Sequence, residues 1–202
     1  MGRPQQVDVD ALLHHARAIW VTEGMAAVTI RALSARSGVS NGAIYHHFSS
    51  RNHLLARVWA QEASAFRAFQ RAEIQAARDS AGAEDAVVAA ALATGGYAAV
   101  KDAAVRVLLG SRPDTVAPEG LPEELVKELR RHRASAAALI ADLAEEVWGR
   151  SDETARRLMR HCVVDIPARI FMGARQPNDP LARYAIEHAV RGVLAAGPPE
   201  ES

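Results

Sequence analysis

Between Thr29 and Phe48 the sequence carries start and stop signals for two helices so short that neither can stand alone. Thr29 is placed to cap the first, with Val28 and Leu33 at the positions of a hydrophobic staple, and Gly38 closes it after only about eight residues. The pattern then repeats: Ser40 caps, Val39 and Ile44 staple, and Ser49-Ser50 offers a new cap just past Phe48. Isolated helices shorter than ~12 residues are marginal in water. Both must therefore dock on a partner, and the stretch reads as a helix, a three-residue turn containing Gly38, and a second short helix. The partner precedes it: Leu12, Ala16, Ile19 and Trp20 form one apolar stripe in a helix of about Val7 to Glu23 that Gly24 ends.

The remaining punctuation is also helical. Alanine, leucine and arginine dominate and β-branched runs bounded by turns are nearly absent, so the fold class is all-α. A long helix runs from Arg51 through Leu55, Trp59, Glu62, Phe66 and Phe69 to about Ala77. After a turn-like Asp79 to Ala83, helices are expected at Glu84 to Ala93 and Gly96 to Leu109, with Gly95-Gly96 as a break between them. Gly110 to Leu121, with Pro113 and Pro118, reads as a loop. Pro122 opens a helix to Trp148, Asp152 to Met172 is bent by Pro167, and Leu181 to Ala196 ends at Gly197. The expected division is a helix-turn-helix domain over residues 1–50 and a helical domain over 51–202.

Charge narrows the function. The chain has 24 basic and 24 acidic side chains, which excludes a binder that works by bulk positive charge. Residues 1 to 60 nonetheless carry six arginines against three acidic residues, a module of +3 that also holds five of the eight histidines. Cys162 is the single cysteine, so no intrachain disulfide forms, and no two histidines sit at the i, i+3 or i, i+4 offsets of metal ligands on one helix. Neither metal nor cofactor is expected. No glycine-rich phosphate loop is present, and Cys162 lies in an apolar run that suits a buried small side chain, so no enzyme activity is expected. The most apolar stretch, Ala86 to Val100, is too short to span a bilayer, and the first fifteen residues lack the core of a signal peptide. A cytoplasmic protein is expected.

In a helix-turn-helix, the N-terminal half of the second helix enters the major groove, so its outward residues should be small or polar. Ser40, Asn41, Gly42 and Ala43 meet that demand, and Tyr45 and His46 follow one turn later. Neighbours on a helix diverge by ~100°, which favours His46 toward the groove floor and His47 toward phosphate. Tyr45 reads as a phosphate or groove contact or as a packing aromatic. A cation at the start of a helix opposes its dipole, and a DNA phosphate beside Arg51 would remove the conflict. Arg3-Pro4 reads as a disordered tail or as an arm reaching a minor groove. The run Arg130-Arg131-His132-Arg133 reads as a solvated face.

The stretch Thr29 to Leu55 resembles the DNA-binding domain of the TetR family of regulators, over about residues 8 to 56. The resemblance rests on Thr29 opening the second helix, Ser40 and Gly42 opening the third, the string Tyr45, His47, Phe48 closing it, and a basic residue, Arg51, starting the fourth. Members more often have lysine at that last position. The resemblance implies a transcriptional regulator, most often a repressor, that binds a palindromic operator in double-stranded DNA as a homodimer and is released by a small-molecule effector. DNA contacts are then expected from Thr29, Ser40, Asn41, Gly42, Ala43, Tyr45, His46, His47 and Arg51. The alternative is a helical-bundle enzyme or small-molecule carrier with an incidental helix-turn-helix.

For the second domain two expectations follow from pattern. Aromatic residues are only 5% of the chain, so Phe66, Phe69, Tyr97, Trp148 and Phe171, with Leu108, are candidate walls of an apolar effector cavity, although core packing explains each of them as well. His161, Asp165 and Arg169 fall at successive helical turns as a candidate polar line. A homodimer is expected to be built mainly from the last two helices, about Asp152 to Met172 and Leu181 to Ala196, where Ile186, Ala189, Val190, Val193 and Leu194 form an apolar stripe whose other reading is that it closes the monomer's own core.

Overall fold

The computed structural model describes residues 7–111, 120–173 and 179–200, and every regular element among them is helical. The Arg3-Pro4 segment and Pro113 and Pro118 lie outside the described residues. Contacts divide the chain into two compact units, one of residues 1–63 with 106–130 and the other of 64–105 with 131–202.

In the first unit, α1 (Val9–Glu23) is capped by Asp8, whose Oδ1 accepts from the Ala11 amide at 3.0 Å, and Gly24 ends it at φ 90°. A single 3-10 turn, Met25–Ala27, leads into α2 (Ile30–Ser37) and α3 (Asn41–His47). Both expected caps form: the Thr29 hydroxyl accepts from the Ala32 amide at 3.1 Å and the Ser40 hydroxyl from the Ala43 amide at 3.3 Å. Gly38 takes the left-handed conformation at φ 73°, ψ 1°, which a side chain would oppose. Leu12, Leu13, Ala16, Ile19, Val28, Leu33, Ile44 and Phe48 are buried in one core with Leu54, Leu55, Val58, Trp59, Leu125 and Leu129. That core supplies the docking the two short helices require.

α4 (Arg51–Ala81), α5 (Ala83–Leu109) and α6 (Glu123–Trp148) contribute segments to both units. In the second unit follow α7 (Glu153–Arg160), a π-helical stretch (His161–Asp165), α8 (Ile166–Gly173) and α9 (Pro180–Ala196). Its core joins Ile74, Val87, Leu143, Met159, Cys162, Ile186, Val190 and Leu194.

Three local expectations are corrected here. The turn after α4 is a single residue, Gly82 at φ 99°, and not a stretch from Asp79 to Ala83. Gly95-Gly96 does not interrupt α5, which is broken at Lys101 (φ −143°, ψ 58°). A Cβ on Gly95 would lie 2.2 Å from Cζ of Phe171, and one on Gly96 would lie 3.5 Å from Cζ of Phe69, so Gly95 makes room for a ring. The segment from Asp152 to Met172 is not one continuous α-helix around Pro167. The turn before it widens instead, with the Ile166 amide bonding back to His161, and this relieves the crowding a proline ring imposes on the preceding turn.

Candidate nucleic-acid interface

Side-chain exposure divides α3 into two faces. Ile44 and Phe48 are buried, while Asn41, Gly42, Tyr45 and His46 are exposed, Tyr45 to 55%. Ser40 is exposed as well, and Ala43, His47 and Thr29 are half-buried. The outward face therefore carries a hydroxyl, an amide, a glycine, a phenol and an imidazole, and no acidic group. A Cβ at Gly42 would meet nothing of the protein within 4 Å, so internal packing does not require a glycine there. The His46 and His47 rings sit edge to face, centroids 5.3 Å apart.

The geometry gives Arg51 a structural task. Its Nε donates to the Val28 carbonyl at 2.6 Å and its Nη2 to the Met25 carbonyl at 2.5 Å, so it ties the start of α4 to the turn between α1 and α2. Carbonyl oxygens thereby resolve the conflict with the helix dipole, while Nη1 keeps both of its N–H groups for another acceptor. The helix is capped by Ser50, whose hydroxyl accepts from the His53 amide at 3.1 Å. His53 accepts in turn from the Ser49 amide at 3.2 Å, and burial, with Arg57 nearby, lowers its pKa.

Arg31 escaped the sequence reading. It is exposed in the first turn of α2, with no ion-pair or hydrogen-bond partner among the described residues. The dipole argument applied to Arg51 applies equally to it and would have found it. Arg36, at the other end of α2, lies 3.5 Å from Glu23.

In the second unit four of the candidate wall residues come together. The Tyr97 ring packs against Phe66 (centroids 5.6 Å) and Phe69 (5.2 Å), Phe69 lies over Gly96, and Phe171 lies over Gly95. The others stand apart. Leu108 packs on the core of the first unit, and the Trp148 indole donates to the Leu194 carbonyl at 3.3 Å. His161 and Asp165 are joined at 2.8 Å on the surface, but the arginine nearest Asp165 is Arg160 at 3.8 Å, and Arg169 is exposed. Burial pushes the Cys162 thiol up to about 11 and keeps it a neutral core side chain. Among the described residues no group of three or more His, Cys, Asp or Glu is placed to hold a metal ion, and no helix is long and apolar enough to cross a membrane.

A capped helix-turn-helix with an outward polar face on its second helix is the arrangement with which helix-turn-helix proteins enter the major groove. Residues 12–58 match the model of the bacterial regulatory proteins of the tetR family. The chain also shares the fold of solved regulators over nearly its whole length. SCO4454, a TetR-family transcriptional regulator from Streptomyces coelicolor, is 24% identical with a TM-score of 0.65, covering 94% of this chain and 95% of that one. The ketosteroid transcriptional regulator KstR2 of Mycobacterium tuberculosis is 19% identical with a TM-score of 0.63, covering 97% of each chain. The transcriptional regulator FadR from Bacillus subtilis, solved in complex with stearoyl-CoA, is 12% identical with a TM-score of 0.65, covering 95% of this chain and all of that one. No curated protein sequence matches the chain.

Proposed function

We propose that the chain is a repressor that binds a palindromic operator as a homodimer in the cytoplasm, without enzymatic activity, and leaves DNA when a small molecule binds residues of its domain 51–202. The observation that carries the DNA reading is the outward face of α3, where Asn41, Gly42, Tyr45 and His46 are exposed while Ile44 and Phe48 lock the helix into the core. In this reading Ser40, Asn41 and His46 meet base edges, and Gly42 and Ala43 let the backbone approach the duplex. Thr29, Tyr45, His47, the free N–H groups of Arg51 and the exposed Arg31 meet phosphates.

A single helix-turn-helix covers one half-site, and a two-fold dimer covers two. The face available for self-association is not the stripe of Ile186, Val190 and Leu194, which the unit's own core buries. It is the opposite side of α9, where Leu181 (74% exposed), Tyr184 (60%), His188, Ala189 and Gly192 present a surface without charge. The effector reading rests on the Phe66, Phe69, Tyr97 and Phe171 cluster, with Leu108, Trp148, His161, Asp165 and Arg169 as more remote candidates.

The deciding experiment titrates the full chain against a duplex of its own upstream intergenic sequence and against an unrelated duplex of equal length, in moderate salt. A specific regulator binds the first at least 10³ times more tightly. Equal affinity for both duplexes would refute the proposal.

A further inference from the structure

The phosphate contacts proposed above gather at one end of the helix-turn-helix: Thr29 and Arg31 where α2 starts, Tyr45 and His47 where α3 ends, and Arg51 where α4 starts, tied to Val28. Two sugar-phosphate strands border a major groove, one on each side of a helix that enters it. At the other end of the motif, where α2 gives way to α3, no contact to a phosphate strand has been assigned. A groove of about 390 Å³ opens there, with Asp8, Ala11 and His15 of α1 and its cap on one side and Ser37, Gly38, Ser40 and Ala43 on the other. Ser40 and Ala43 already belong to the proposed duplex-facing surface, so the groove continues that surface onto α1.

Its polar groups suit an anion. The Ser37 hydroxyl accepts from the Val39 amide at 3.2 Å, which occupies a lone pair and leaves the O–H proton to donate. His15 is half-buried and has no hydrogen-bond or ion-pair partner among the described residues; its ring meets the edge of His14, centroids 6.1 Å apart, and His14 in turn bonds Arg17. Asp8 is the one acid on the groove, and its Oδ1 is engaged by the Ala11 amide at 3.0 Å. The opposite wall, from Ser37 to Ala43, carries no ionisable side chain, so the charged and titratable groups facing His15 are Asp8 and His14 on its own helix.

We infer that this groove seats the second sugar-phosphate strand of the operator, with the Ser37 hydroxyl and the His15 imidazolium donating to its phosphates and Asp8 weakening the hold. This rests on the DNA reading of α3 and adds a second backbone attachment, so that the recognition helix is fixed in the major groove from both of its ends. An adjacent phosphate favours the imidazolium, so the attachment strengthens as pH falls through the range in which histidine titrates.

The test uses the full-length protein and measures its affinity for the duplex of its own upstream sequence over a salt series, once near pH 6 and once near pH 8. Asp8→Asn keeps a capping oxygen and removes the charge, so it should tighten binding by about threefold with an unchanged melting temperature. Asp10→Asn removes the same charge from the first turn of α1 at a position that does not line the groove, and should tighten binding less. His15→Gln should flatten the salt slope by about one unit near pH 6 and change it little near pH 8, a dependence that lost packing alone would not produce. Ser37→Ala should weaken binding alike at both pH values. No tightening by Asp8→Asn, equal tightening by Asp8→Asn and Asp10→Asn, or a His15→Gln penalty that is the same at both pH values overturns the inference. Should His15→Gln not fold, the comparison of the two aspartate variants carries the test. Any of these outcomes in a protein that still prefers its own duplex removes the groove from the interface and leaves the DNA reading standing; a wild type without that preference overturns both.

Discussion

Arg51 and Val28 are joined by a hydrogen bond of 2.6 Å from the guanidinium Nε to the backbone carbonyl, which fastens α4 to the turn entering the helix-turn-helix. A second bond to Met25 makes the attachment bidentate, so the side chain has a structural role separable from its charge.

The separation is measurable with two substitutions. Arg51→Lys keeps the charge and loses the fork, so it should lower stability by about 1 to 3 kcal/mol while the salt dependence of operator binding stays unchanged. Arg51→Ala should do both, flattening the salt slope by about one unit. Arg31→Ala, which breaks no internal bond, should flatten the slope by a similar amount with no change in Tm. Thermal melts and salt titrations of the three variants check this, and an unchanged slope in Arg31→Ala would remove Arg31 from the interface.

Gly42 and Asn41 test the recognition helix from opposite directions. Since a Cβ at Gly42 meets nothing inside the protein, Gly42→Ala should raise stability by up to ~1 kcal/mol through helix propensity, yet weaken operator binding by crowding the groove. Asn41→Ala should leave the fold intact and relax base preference at one position per half-site, at a cost of ~1 to 3 kcal/mol for the preferred base. A more stable Gly42→Ala protein with full operator affinity would move the duplex away from this face.

What the sequence made legible was local chemistry. Thr29, Ser40, Gly24 and Gly38 act through bonds to residues two to four positions away, so the caps, the turn and the inward Ile44 and Phe48 could be read in advance. Gly95 and Gly96 were misread because their reason is tertiary. Read locally, a glycine pair weakens a helix; in the fold it is the floor on which Phe171 and Phe69 rest. The stripe of Ile186, Val190 and Leu194 has the same origin, since periodicity marks an apolar face without saying whether the chain's own core or a second copy covers it. The groove shared by His15 and Ser37 was invisible for a related reason: residues far apart in the chain border it only in the fold.

The glycine floor predicts an asymmetry between neighbours. Gly95→Ala places a Cβ 2.2 Å from the Phe171 ring and should cost about 1 to 3 kcal/mol, whereas Gly96→Ala meets Phe69 at an ordinary 3.5 Å and should be neutral or stabilising. Chemical denaturation of the two variants checks the sign of each. Adding Phe171→Leu to Gly95→Ala should recover part of the loss, and full additivity of the two changes would show that the ring is not what Gly95 accommodates.

Burial of Glu62 gives a prediction in the first unit. Its side chain is 5% exposed and its Oε1 receives Nη1 of Arg17 at 2.8 Å, the contact by which α1 meets α4 through charge. Arg17→Met leaves a buried carboxylate alone and should destabilise by about 3 to 5 kcal/mol, while the double variant Arg17→Met, Glu62→Met should regain most of that, because a buried ion pair contributes little net stability over an apolar pair of similar volume. Denaturant midpoints of the single and double variants decide it.

The exposed face of α9 supplies the last prediction. Leu181 and Tyr184 are large apolar side chains left exposed, and Tyr184 stacks on His188 with ring centroids 3.9 Å apart. Gly192 lies one turn beyond His188, and a Cβ there would meet nothing of its own chain, so room for close helix approach exists on the outside of the unit. If a second copy covers this face, Tyr184→Glu puts two like charges across a two-fold axis, where each faces the partner's apolar residues, and the protein should become monomeric at micromolar concentration. Loss of the dimer should remove cooperative occupation of the two half-sites but not the weak, salt-sensitive binding of one helix-turn-helix. The variant Arg183→Glu alters charge on the neighbouring edge of the same helix and should leave the dimer intact. Light scattering on both variants checks the assignment, and a Tyr184→Glu protein that stays dimeric would place the interface elsewhere.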